Sequence, residues 1–214
     1  MPLIQDSVRT EIKKRFEALD KPVKIVNFTQ EFECAYCRET RELAEEICSL
    51  SDKLSIDVYD FVADEAEVAK YKVNKIPSIV LVGDKDTGIR YYGIPTGYEF
   101  GVLIEDLIMV SKRDSGLDPG TRKKLAGLSD PLHLQVFVTP TCPYCPRAVV
   151  QAFRMAMESP SVTASMVEAT EFPHLANKYQ VSGVPHTVIG DSAQPMIGAY
   201  PEAAALDLIL NAVA

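Results

Sequence analysis

The apolar positions along the chain follow two periodicities that alternate in the same order twice. Residues 6–19 read as an amphipathic helix capped by Asp6 or Ser7, and residues 23–29 as an apolar, β-branched strand. A helix follows to about residue 49, then a strand near 54–61, a short helix near 65–71, strands near 78–82 and 89–93, and a closing helix near 98–111. The order recurs as strand 132–139, helix to 158, strand 162–168, short helix to 179, two strands and a last helix over 202–213. Strands alternating with helices predict an α/β fold of two tandem units, each a central mixed β-sheet flanked by helices with right-handed crossovers.

The recurrence is also one of residues. Cys34 and Cys37 stand 108 positions before Cys142 and Cys145, and Pro77 stands 108 before Pro185, so each first cysteine precedes its proline by 43 residues. Around those prolines KYKVNKIPSIVLVGD matches KYQVSGVPHTVIGD with one residue dropped. Asp118 followed by Pro119 reads as the start of a helix equivalent to the N-terminal one. The units are expected at 1–115 and 116–214, with the joint between 113 and 117.

Composition narrows the classes. The chain is 47% hydrophobic and 24% charged, enough apolar material for a core, and no run approaches the roughly 18 uninterrupted apolar residues of a membrane span. The first twenty residues resemble a helix and not a secretory leader, so the expected location is cytoplasmic. The net charge of −8 is spread over both halves, with 16 basic against 22 acidic residues to Ser115 and 6 against 8 beyond it. Bases and acids are interspersed, which excludes the basic stripe that nucleic acid needs.

Four of the five cysteines form two C-x-x-C pairs, each between an apolar strand and a helix. Disulfide exchange needs a thiolate to attack a sulfur and a second thiol to resolve the mixed disulfide. A helix start faces the first sulfur with unsatisfied N–H groups and the positive end of the helix dipole, lowering its pKa. Cys34 and Cys142 are therefore the expected attacking thiols, and Cys37 and Cys145 the resolving ones. A four-cysteine zinc site is the chief rival, but its pairs normally lie within about 15–20 residues, and here 104 residues separate them. No metal is expected.

FECAYC with NKIPSI, and TPTCPYCP with SGVPHT, resemble the thioredoxin superfamily, and CPYC is found in many glutaredoxins. Two units with intact CxxC pairs are similar to the glutaredoxin-like protein disulfide oxidoreductases of thermophilic prokaryotes. That resemblance implies reduction, oxidation and isomerisation of protein disulfides. The N-terminal domain of a flavin-dependent peroxiredoxin reductase is also similar, although it normally keeps one CxxC. The resemblance implies that Pro77 and Pro185 are cis, leaving the backbone of Ile76 and Val184 free to pair with an extended substrate. Thioredoxin keeps a buried Asp on the strand before its CxxC; counting back from the first cysteine puts Phe28 and Val136 there.

Further candidates are open to two readings. Asp60 and Glu168, each 17 residues before its proline, are strand-end acids or tuners of a nearby thiol. Tyr36 and Tyr144, inside the CxxC loops, are loop packing or substrate contacts. His186, after Pro185, is an exposed loop residue or a substrate contact. Cys48, a helical interval from Cys37, is expected to be a small buried thiol. CAYC and CPYC differ by one residue, and the second site is expected to be the stronger reductant. No flavin or dinucleotide motif is present, so electrons are expected from a thioredoxin reductase-like protein or a small thiol. The competing roles are a dedicated shuttle between a reductase and a peroxidase, and a chaperone whose cysteines are only structural.

Overall fold

The computed structural model describes residues 2–212. The first half runs α1 (Asp6–Phe16), β1 (Val23–Thr29), α2 (Cys37–Cys48), β2 (Leu54–Asp60), α3 (Glu65–Tyr71), β3 (Ser78–Val82), β4 (Asp86–Tyr92) and α4 (Tyr98–Lys112). The second runs α5 (Pro119–Ala126), β5 (Leu132–Val138), α6 (Cys145–Glu158), β6 (Val162–Glu168), α7 (Pro173–Lys178), β7 (His186–Ile189), β8 (Met196–Ile197) and α8 (Glu202–Ala212). Residue 213, the expected end of the last helix, lies outside the described residues.

Local differences from the sequence reading have simple causes. The N-cap of α1 is Gln5, without a side-chain cap; Asp6 lies inside the first turn, where a carboxylate complements the helix dipole. The β4 strand starts three residues before Ile89 because Asp86 pairs with Val82 across the hairpin, past an irregularity in register. Polar Asp86 and Thr87 and the following Gly88 hide that start from a propensity reading. Lys72 ends α3 in the left-handed conformation at φ 52°.

Each half builds its sheet in the same order, β2-β1-β3-β4 and β6-β5-β7-β8, and the two join into one eight-stranded sheet. The join is a parallel pairing of β4 with β6, from Ile89 opposite Ala164 to Tyr92 opposite Val167. Because β1, β4, β6 and β5 all run the same way, the two CxxC segments leave the same end of the sheet. Four strand spacings separate β1 from β5, roughly 19 Å at about 4.8 Å each.

Alternation along the strands sorts the core into two layers. Ile25, Ile79, Leu81, Ile89, Leu134, Val136 and Met166 face one side, where α1, α2, α4, α5, α6 and α8 pack. Phe28, Val80, Tyr92, Phe137, Val167 and Val188 face the other, under α3 and α7. Both helices that start at a CxxC cysteine, α2 and α6, lie on the first side. No helix among the described residues is long and apolar enough to cross a membrane.

Candidate active sites

The first site begins where β1 ends at Thr29. A four-residue loop, with Glu33 at φ 57°, carries the chain to Cys34. Cys37 is the first residue of α2 and fully buried, and Cys34 is half-buried. The two sulfurs are joined, with Cα atoms 5.5 Å apart. Thr29 donates its hydroxyl to the Cys37 carbonyl at 3.4 Å, pinning the strand end against the helix start. Phe32, 77% exposed, stands beside a cleft of about 490 Å³ that Cys34, Arg38 and Arg41 also line. Both arginines are paired on the helix surface, with Glu42 and Glu45 at 2.8 Å.

The second site is built alike, and more tightly. Cys145 opens α6, fully buried, and Cys142 is 7% exposed; they too form a disulfide with Cα atoms 5.5 Å apart. The Cys145 N–H donates to Cys142 Sγ at 3.1 Å. A backbone donor at a helix start favours negative charge on that sulfur once the disulfide opens. The Val184 carbonyl lies 3.7 Å from the same sulfur. In the disulfide the sulfur has no proton to give, so this is a packing contact that brings the loop before Pro185 against Cys142. The Ile76–Pro77 and Val184–Pro185 bonds are both cis.

The remaining candidates separate. Asp60 accepts the N–H groups of Val62 and Ala63 at 2.9 and 2.8 Å, holding the turn after β2. Glu168 does the same after β6, accepting from Thr170 Oγ1 at 2.6 Å and from the Glu171 N–H at 2.7 Å. Tyr36 and Tyr144 are the residues before α2 and α6, and both project into solvent, Tyr144 at 70% exposure. His186 is buried on β7 with its ring edge-on to Phe137, on the sheet face opposite α6. It neither sits in an exposed loop nor points toward the sulfurs, and burial lowers its pKa. Cys48 is a free, buried thiol, and burial first, then the charge of Glu45, pushes its pKa up to about 12.

Strand register corrects one assignment. Phe28 stands opposite Ser78, just after Pro77, and Phe137 stands opposite His186, just after Pro185. Equivalent strand positions are thus 109 apart, Val136 matches Asn27, and Phe28 matches Phe137. Counting from the cysteines failed because the loop to Cys34 is one residue longer than the loop to Cys142.

Comparison with known proteins agrees with this geometry. Residues 132–211 match the thioredoxin domain family. A protein disulfide oxidoreductase from Aeropyrum pernix has a similar structure, with a TM-score of 0.90 and 29% identity over 96% of this chain and 91% of that one. The alkylhydroperoxide reductase AhpF of Enterococcus faecalis is similar too, at a TM-score of 0.88 and 27% identity, covering 96% of this chain and 99% of that chain. This is a thioredoxin-fold protein. Curated relatives include the corresponding alkyl hydroperoxide reductase of Pseudomonas aeruginosa, 23% identical over 86% of this chain, and a Bacillus subtilis protein named NADH dehydrogenase, 28% identical over 67%. The chain spans only 33% and 26% of the length of those two. Paired cysteines at two helix starts of this fold are the parts of a thioredoxin-like disulfide oxidoreductase.

The structure also gathers residues that the thioredoxin-fold sequence does not advertise. Glu99 opens α4, where a first-turn acid reads as a dipole partner, yet it is 1% exposed and neither carboxylate oxygen has a partner among the described residues. Its neighbours Gly97 and Tyr98 abut Pro140, which leads to Cys142, and the Tyr98 N–H donates to the Pro140 carbonyl at 3.2 Å. Burial first, and then the charge of Glu168, raises its pKa to about 7. Glu171, which accepts the Ile94 N–H at 2.7 Å, is also raised to about 7, chiefly by burial. The folded state therefore keeps a proton on Glu99 that the unfolded chain loses between its ordinary pKa of 4.5 and about 7. Stability attributable to this group falls as pH rises through that window. Glu99→Gln is expected to match the parent near pH 4 and to exceed it at pH 8 by on the order of 2 kcal/mol. Denaturant unfolding at the two pH values checks this, and an equal difference at both would refute it.

Proposed function

We propose that the chain is a protein thiol-disulfide oxidoreductase with two active sites, carried by units at 1–115 and 116–214. The observation that carries the reading is the pair of disulfides at the first turns of α2 and α6, on one end of one sheet. Cys34 or Cys142, as a thiolate, attacks a substrate disulfide; one substrate sulfur leaves as a thiol and a mixed disulfide forms. Cys37 or Cys145 then attacks that mixed disulfide, releasing the second substrate thiol and closing the enzyme's own disulfide. Two electrons pass to the substrate, and run backwards the same steps oxidise a dithiol.

An extended substrate strand pairs with the backbone of Ile76 or Val184, the latter already in contact with Cys142. Tyr36 and Tyr144 offer it exposed aromatic surface. The electron donor is a thioredoxin reductase-like protein, the location is cytoplasmic, and the substrates are proteins with thiols or disulfides. The likeness to the Aeropyrum pernix oxidoreductase supports this general role, including isomerisation. The likeness to the alkyl hydroperoxide reductases favours a second reading, a dithiol shuttle between a reductase and a peroxidase.

Refolding of scrambled ribonuclease beside insulin reduction separates them. A general oxidoreductase is expected to turn over both. A shuttle would turn over neither well while exchanging rapidly with one peroxidase. If neither pair cycles between disulfide and dithiol under mild thiol treatment, both readings fail.

A further inference from the structure

The two resolving cysteines have different surroundings. Asn27 on β1 is fully buried on the α2 side of the sheet, between Ile25 and Thr29. Its Nδ2 donates to the Ser78 carbonyl at 2.9 Å, but its Oδ1 has no partner among the described residues. Thr40 is also fully buried and lies one turn after Cys37 on the same helix face; its Oγ1 likewise has no partner among the described residues. Thr29 touches the Cys37 carbonyl, while Ile25 packs in one cluster with Ala44 and Ile47. Asn27 lies between them on the same face of β1, the face on which α2 packs. The equivalent residues in the second half are Val136 and Ala148, both buried and both apolar.

Two buried oxygens without partners are costly, and such atoms need a reason to be there. Reduction of the Cys34–Cys37 disulfide creates a buried S–H on Cys37, a weak donor that needs an acceptor. We infer that Asn27 and Thr40 are positioning residues that receive the Cys37 thiol, so that the first site, with no counterpart in the second, is the electron-accepting one of the two. The inference rests on the reading of both pairs as redox centres. In the balanced reaction, run through a shared thiol such as glutathione, the Cys142–Cys145 dithiol becomes a disulfide and the Cys34–Cys37 disulfide becomes a dithiol. Two electrons and two protons move with no other oxidant.

The test isolates the first pair in a Cys142→Ser/Cys145→Ser chain and measures its equilibrium with glutathione by alkylation and mass spectrometry. Thr40→Val, which keeps shape and removes the hydroxyl, is expected to disfavour the reduced form about fivefold, or about 20 mV for a two-electron couple. Thr40→Ser, which keeps the hydroxyl, is expected to restore the parent value. Thr40→Val should also destabilise the reduced chain more than the oxidised one, whereas a purely structural hydroxyl would affect both equally. The reverse variant Ala148→Thr, in a Cys34→Ser/Cys37→Ser chain, should move the second site toward its reduced form. An unchanged equilibrium in Thr40→Val with equal destabilisation of both forms, or a parent in which the first pair is the more reducing, overturns the inference. Failure of either pair to exchange with glutathione at all would instead overturn the redox reading beneath it.

Discussion

Cys142→Ser is expected to remove about nine-tenths of the insulin-reducing activity, and Cys34→Ser less than half. The difference follows from the donors that meet Cys142 and Cys34, the two sulfurs proposed to attack. The Cys145 N–H already points at Cys142 Sγ at 3.1 Å, and the Val184 carbonyl lies 3.7 Å from that sulfur, so thiolate stabilisation and the approach of a substrate strand share one position. That N–H already meets the sulfur in the disulfide, so no reorganisation has to precede attack. At the first site the loop is one residue longer, bends through Glu33 at φ 57°, and leaves Cys34 half-exposed. Turnover of insulin by each serine variant under the same dithiol supply is the measurement, and equal losses would refute the asymmetry. A chain with all four cysteines replaced should have no reductase activity. If it still suppressed aggregation of unfolded proteins as well as the parent does, the chaperone role would be favoured.

Much of this arrangement was legible in the sequence because both units repeat the same local signals. The β-branched run at Val23–Thr29, the pattern at Glu65–Tyr71 and the strand at Ser78–Val82 coincide with the observed elements. The spacing of each CxxC to its proline marks the elements that bring the cysteine and proline segments together at the second site, where Val184 touches Cys142. What the sequence hides arises between the units or in loop lengths. The β4–β6 pairing that fuses the sheets leaves no mark in either strand. Glu99 looks like an ordinary first-turn acid, and only the packing around it in the folded chain makes it a buried one. The extra residue before Cys34 shifts the strand alignment by one, and so disguised Asn27, the buried polar residue, as Phe28, an apolar one on the other face. His186 reads as a loop residue because a proline precedes it, yet its pairing with Phe137 and Ile197 places it inside the sheet.

The junction that leads to the second site yields the largest expected change in stability. Gly97, at φ 62° and ψ −126°, occupies a region of backbone space that residues with a Cβ avoid. A methyl group added there would lie 2.1 Å from the Pro140 carbonyl oxygen and 2.8 Å from its carbon, inside the backbone of the loop that carries Cys142. Neither side can yield cheaply, since the next residue, Tyr98, donates its N–H to that same carbonyl at 3.2 Å. Gly97→Ala is therefore expected to cost about 3–5 kcal/mol, from left-handed strain plus the clash, and to lower Tm by roughly 10 °C in a chain of this size. It should also slow alkylation of reduced Cys142 relative to Cys34, because relief of the clash displaces Pro140. Gly101, four residues later inside α4, has no atom within 4 Å of an added Cβ. Gly101→Ala is expected to raise stability by about 1 kcal/mol through helix propensity alone, with no change at either cysteine. Thermal unfolding of the two variants side by side decides the matter: if Gly97→Ala melted with the parent, the contact between the start of α4 and the second active-site loop would not exist in solution, and the burial of Glu99 beside it would fall as well.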